Sequence, residues 1–146
     1  MSGPARTAAF NIHASAVALD PGRGVLITGP SGAGKSALAL ELMALGAHLV
    51  ADDRVDLWRD GDALMASAPA AIAGRIEARG VGILAAEAQE RARIILVVDL
   101  AQEEAARLPP ARVTEIGGVV LPLVLRVRSG HAAPAILQYL KGGRVA

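Results

Sequence analysis

The sequence contains no cysteine, and its aromatic residues are reduced to Phe10, Trp58 and Tyr139. The first absence excludes disulfide staples, thiolate metal sites and cysteine nucleophiles. The second requires a core close-packed from small side chains, for which 31 alanines, 18 leucines, 13 valines and 9 isoleucines are the material. Excess charge is lacking as well. Fifteen Lys+Arg against 14 Asp+Glu leave a net charge of +1, which argues against a disordered charged tail and gives no electrostatic basis for wrapping nucleic acid. No apolar run reaches the ~18 residues of a membrane span, since stretches such as Ile116 to Leu125 stop at Arg126, and Met1-Ser2-Gly3-Pro4-Ala5-Arg6 has no apolar signal core. The missing span and signal core predict a cytoplasmic protein that engages no membrane, and the balanced charge predicts no nucleic-acid partner; the lack of cysteine fits any compartment. The length of 146 residues fits one domain over 1–146, with residues 1–12 the segment expected to fray.

What is present reads as α/β. Ala14 to Leu19 alternates as a strand and closes on Asp20-Pro21-Gly22, and Val25-Leu26-Ile27-Thr28 is a short buried strand. A glycine loop follows, then Leu38, Leu42 and Leu45 at helical spacing with Gly46 as the stop, then Leu49-Val50-Ala51 ending in Asp52-Asp53. This order predicts a βαβ unit with a parallel strand pair. Val55 to Trp58 and Ala63 to Ala66 flank an Asp-Gly hairpin signal, Ile94 to Leu100 and Val119 to Val127 are further strands, and Ala132 to Lys141 is an amphipathic C-terminal helix. The expected architecture is a P-loop α/β domain with a mixed, partly antiparallel sheet.

The loop Gly29-Pro30-Ser31-Gly32-Ala33-Gly34-Lys35-Ser36 is a complete Walker A pattern, placed after a strand and at a helix start as the pattern requires. Its glycines let successive backbone N–H groups turn toward one point, and the helix N-terminus adds partial positive charge suited to a polyphosphate. Only two lysines occur in the chain, Lys35 and Lys141, so a lysine at the motif position is informative. Lys35 suits the β/γ-phosphates of ATP and the Ser36 hydroxyl suits Mg²⁺. Phosphoryl transfer to an alcohol further needs a carboxylate near the metal and a proton acceptor. Two candidates compete for the strand-end position, Asp52-Asp53 after His48 to Ala51 and Asp99 after Ile94 to Val98.

The stretch Gly29 to Ser36, followed by Leu38-Ala39-Leu40-Glu41-Leu42-Met43 and then by His48-Leu49-Val50-Ala51-Asp52-Asp53-Arg54-Val55, resembles the HPr kinase/phosphorylase family. A second block, Ile76-Glu77-Ala78-Arg79-Gly80-Val81-Gly82-Ile83-Leu84, is similar to that family's signature of an acid, an arginine and a glycine pair. The resemblance covers His13 to Gly130 and corresponds to the family's C-terminal catalytic domain, in a short form of alphaproteobacterial type. It implies an ATP- and Mg²⁺-dependent protein-serine kinase whose substrate is the phosphocarrier protein HPr, assembled as a homo-oligomer and in the family as a hexamer. Carried over residue by residue, it implies Asp53 as the proton acceptor, Lys35 as the loop lysine, Ser36 and Glu77 as metal-binding groups, His13 as a support for the catalytic acid and Arg107 as an active-site arginine; because side chains alternate along an extended segment, Asp52 is then left to face the metal or a structural partner. Asp99 then only ends a strand. The family's Val-x-Pro-Gly-Arg-Asn segment, tied to removal of the phosphoryl group by phosphate, is replaced here by Val127-Arg128-Ser129-Gly130-His131-Ala132, which implies weak or lost phosphorylase activity.

Two other readings of the residues stand beside this one. A small-molecule P-loop kinase would need a lid, for which Arg91, Arg93, Arg107 and Arg112 are the available arginines. A non-catalytic nucleotide-sensing module would need no acids, and the pairing of Asp53 with Glu77 weighs against it. For the oligomer, Leu121, Leu123 and Leu125 on one strand face and the terminal helix are the apolar surfaces expected to be covered.

Overall fold

The computed structural model describes residues 9–146. Strand β1 (Phe10–Ile12) pairs antiparallel with β5 (Val55–Asp60), so the segment expected to fray is ordered from Phe10, and residues 1–8 lie outside the described residues. β2 (Ser15–Asp20) and β3 (Arg23–Thr28) form a hairpin, and α1 (Lys35–Ala44) leads to β4 (His48–Ala51). β5 and β6 (Ala63–Ser67) turn through Gly61-Asp62, one residue beyond the Asp-Gly pair. β7 (Arg75–Ala78) and β8 (Gly82–Ala85) make a separate hairpin. β9 (Arg91–Glu103), β10 (Arg112–Ile116), β11 (Val119–Arg126) and α2 (Ala132–Gly142) complete the chain.

Nine strands form one mixed sheet in the order β1-β5-β6-β9-β3-β2-β4, with β11 and β10 continuing from the distal part of β9. The expected βαβ unit is present in connection but not in pairing. β2 lies between β3 and β4, antiparallel to both, and the parallel partner of β3 is β9. The long β9 is the axis of the sheet: its first residues pair with β6, its distal ones with β11, and β3 runs along its other edge.

Strand alternation divides the core in two. Val17, Val25, Ile27, Leu96 and Val98 face α1 and α2, whose Leu38, Leu42, Ile136 and Leu140 cover them. Ala16, Ala18, Leu26, Leu57, Leu64, Val97 and Leu121 form the second cluster on the opposite side, where strands close on strands and the alanines permit close approach. A bulge in β9 opposite Gly24 and Val25 shifts the alternation, so that Ile94 and Val97 share this face. The leucines expected to be left for an oligomer are used inside the chain. Leu121 and Leu125 are buried, Leu123 packs on the second core cluster, and α2 turns its apolar stripe inward.

Helix α1 stops where the sequence indicates. Gly46 has φ 113°, its N–H meets the Met43 carbonyl at 3.0 Å and the Ala47 N–H meets the Leu42 carbonyl at 3.0 Å. This pair of bonds is the Schellman motif, and a side chain at Gly46 would be strained in it. The stop aims β4 so that its two terminal acids arrive beside the start of the same helix.

Candidate active site

The loop between β3 and α1 begins at the C-terminal end of β3. A turn within it is closed by Ala33 N–H on the Pro30 carbonyl at 3.0 Å, and Gly34, with φ 99°, is the joint at which the loop becomes helix. That dihedral favours glycine. The helix has neither a side-chain cap nor an acid in its first turn, so its leading N–H groups have no intrahelical or capping partner. The Lys35 ammonium lies back across the loop and donates to the carbonyls of Gly29 at 2.8 Å and Pro30 at 3.2 Å. It thereby holds the loop's shape with two of its three donors.

The acid pair at the end of β4 divides between two environments. Asp52 is 5% exposed and accepts at Oδ1 from the hydroxyls of Ser36 (2.7 Å) and Ser15 (2.8 Å), and at Oδ2 from the Glu77 N–H (3.0 Å). One buried carboxylate therefore ties together β2, α1, β4 and β7. Asp53 turns the other way, with a side chain 78% exposed. Its φ is 67°, the only positive value among the described non-glycine residues, and the Arg54 N–H meets the Asp52 carbonyl across it at 2.7 Å. An i to i+2 bond around a positive φ is a strained γ-turn. The turn drives the Asp53 carboxylate out into solvent while leaving its neighbour inside.

Asp53, Ser31, Lys35, Ser36, Glu77 and Arg79 line one cleft of about 470 Å³. The β7–β8 hairpin is its far wall, rooted by the buried Ile76 and by the Glu77 N–H on Asp52. His13, in the bend between β1 and β2, places Nδ1 3.8 Å from Asp53 Oδ1 and is itself largely exposed. The sequence-derived set of Gly29 to Ser36, Asp52, Asp53, Glu77 and His13 is thus brought to one place.

Arg107 is not. It belongs to a different cleft, of about 450 Å³, with Glu104, Arg112, Leu125, Ser129, His131 and Arg144. The long excursion from β9 to β10 carries it there. Asp99 also stays apart from the loop's cleft, its Oδ1 accepting the Ala101 N–H at 2.9 Å. The four arginines available for a lid are scattered: Arg91 and Arg93 sit at the start of β9, opposite the loop-bearing end of β3, and Arg112 is held by Glu104 at 3.0 Å.

Among the described residues no group of three or more His, Asp or Glu side chains is gathered as a metal cage. Mg²⁺ does not require one, because it binds through one or two protein groups together with phosphates and water. The Ser36 hydroxyl and Glu77 on opposite walls of one cleft fit such an ion. With its hydrogen given to Asp52, Ser36 Oγ keeps a lone pair for the cleft. Two groups that contact the site escaped sequence reasoning. Ser15 carried no signal, and Arg126, which donates to the loop carbonyl of Ala33, was visible only as the charge that ends an apolar run.

Comparison with known proteins finds the profile of the HPr Serine kinase C-terminal domain matching residues 7–137. The HPr kinase/phosphorylase of Acidovorax sp. (strain JS42) is 37% identical over 132 residues, which cover 80% of this chain and 42% of that protein. That of Geobacillus kaustophilus (strain HTA426) is 49% identical over 87 residues, covering 54% of this chain and 28% of its own length. The chain therefore spans less than half the length of these relatives. The structure of the Hpr(Ser) kinase/phosphatase from Coxiella burnetii superimposes with a TM-score of 0.70 at 28% identity, over 90% of this chain and 93% of that one.

Proposed function

The chain belongs to the HPr serine kinase C-terminal domain family, and on that premise we propose that it is an ATP- and Mg²⁺-dependent kinase that phosphorylates a serine of the phosphocarrier protein HPr. The observation that carries the reading is the convergence of Lys35, Ser36, Asp53 and Glu77 on one cleft. In this reading residues 1–146 are one catalytic P-loop unit. The loop from Gly29 to Ser36 receives the polyphosphate on backbone N–H groups, and Lys35 offsets the charge of the transferred group. Asp53, held in the cleft by its γ-turn, accepts the proton of the serine hydroxyl, and His13 beside it orients the carboxylate. Asp52 holds the Ser36 hydroxyl from behind. Ser36 and Glu77 would hold Mg²⁺, which supplies charge neutralisation at the β- and γ-phosphates when bound. Arg107, which lines a separate cleft of the same chain, is given no role in this scheme.

The reverse reaction, removal of the phosphoryl group by phosphate, is weak or absent in this reading. A second anion beside a phosphoserine needs fixed cationic donors. Arg128 is engaged by Glu103 at 3.3 Å, and the exposed His131 ring is hydrogen-bonded to the Ser129 hydroxyl. The chain is further proposed to act as a homo-oligomer, a hexamer by family likeness.

The test is transfer from radiolabelled ATP to HPr in parallel with a panel of small alcohols. Label on a serine of HPr alone is the expected result. Label on an alcohol would establish the small-molecule kinase, and binding of ATP without transfer to either would establish the sensing module. Incubation of serine-phosphorylated HPr with millimolar phosphate is expected to release little pyrophosphate.

A further inference from the structure

Arg126 ends β11 at the point where that strand loses register with β9: Leu125 pairs with Asp99, whereas Arg126 pairs with Glu103. Leu100 lies within the resulting bulge, and its carbonyl accepts from Arg126 Nη2 at 3.1 Å and from Nε at 3.3 Å. The same Nη2 also donates to the carbonyl of Ala33, inside the phosphate loop. The guanidinium is half-buried, and no carboxylate lies within ion-pair distance of it among the described residues. The hydrogen bonds of this permanently charged group thus go to two backbone carbonyls, one of them belonging to the loop that is rich in unpartnered N–H groups.

The geometry has a direct consequence for that loop. The Ala33 carbonyl and the Gly34 N–H belong to one peptide unit, no peptide bond among the described residues is cis, and in a trans unit the two groups point in opposite directions. Fixing the carbonyl on Arg126 therefore fixes the N–H on the far side. Gly34 is also the left-handed joint of the loop, where the backbone has the widest choice of conformations and the least intrinsic reason to hold one.

We propose that Arg126 is a positioning residue of the phosphate loop. It locks the Ala33–Gly34 peptide so that the Gly34 N–H is preorganised for a nucleotide polyphosphate, and its uncompensated charge raises the positive potential behind the cradle. The proposal rests on the nucleotide-binding reading of the cleft. It assigns to β11, remote in sequence from the Walker A motif, a share in phosphate affinity.

The experiment is calorimetric titration of the full chain, below its unfolding temperature, with Mg²⁺–ATP and separately with inorganic tripolyphosphate. Arg126→Met is expected to weaken both ligands alike by about 10-fold or more, the low end of what losing a hydrogen bond to a charged group costs. Arg126→Lys, which keeps the charge but not the fork, is expected to recover part of the loss. In the transfer assay the KM for ATP rises by about the same factor while kcat changes less than ~3-fold, because Lys35 and Asp53 stay in place. Wild-type affinity in a folded Arg126→Met variant overturns the inference. If that variant does not fold, the lysine variant decides, and wild-type affinity there overturns it equally. A wild-type chain that binds neither ligand overturns the proposed function itself, a result distinguishable from the others because it appears before any substitution.

Discussion

At the residue scale the site depends on two adjacent aspartates with opposite surroundings. Asp53 occupies a backbone conformation that costs of order 1–3 kcal/mol for a non-glycine residue. A strained residue in a cleft is kept where its side chain is needed, so Asp53→Gly is expected to raise the unfolding midpoint while abolishing transfer. Asp53→Asn should keep ATP affinity within a small factor yet lose about 10²–10⁴-fold in kcat, the range for general base catalysis. A kinase rate that survives in both variants would remove Asp53 from the mechanism. Asp99→Asn, by contrast, should be nearly silent in the same assay. For Asp52 the expectation differs in kind. Its two oxygens accept three donors, and an asparagine would set its amide against one of them, either a serine hydroxyl or the Glu77 N–H. Asp52→Asn is therefore expected to destabilise by about 1–3 kcal/mol, read by urea unfolding, with transfer impaired through Ser36. Lys35→Ala should abolish transfer, since the loop amides persist but the charge on the moving group is no longer offset.

At the element scale the site is assembled by ends and interruptions of regular structure. The Schellman stop of α1 delivers β4 and its acids back to the helix start, and the β9 bulge at Leu100 receives Arg126. The excursion that follows β9 is secured by a forked ion pair, Arg112 to Glu104 at 3.0 Å to each oxygen. The Arg112 guanidinium, with help from the Ala106 N–H, holds the Glu104 carboxyl below its ordinary range. A carboxylate with a lowered folded-state pKa contributes stability above its unfolded value and loses it as pH falls through the folded one. Thermal unfolding of the wild type and of Glu104→Gln should therefore differ most near neutrality, and the difference should shrink as pH drops below about 4, the unfolded glutamate value. A difference that grows on acidification would exclude this role for the pair.

At the scale of the whole molecule, the apolar surface available to another subunit is not the one the strand pattern suggested. Val113 and Val120 on the β10–β11 hairpin and Leu108 beside it are 66%, 63% and 77% exposed, whereas Leu121, Leu125 and the stripe of α2 face the chain's own core. If this surface covers an oligomer contact, light scattering at micromolar concentration gives a multiple of the chain mass, and Val120→Lys lowers it. A monomeric wild type would contradict the proposed assembly. The sequence by itself determined the elements whose signals are local: the glycine loop between strand and helix, the Gly46 stop, the hairpin after Trp58 and the terminal helix. These follow from dihedral preference and periodicity within a few residues. Tertiary structure alone decided which strands are neighbours. It put β2 between β3 and β4, carried Arg107 away from the loop, and brought Ser15 to Asp52 and Arg126 to Ala33. Those contacts join residues distant along the chain, and they are set by how strand register and bulges pack the small-residue core, which no local pattern encodes.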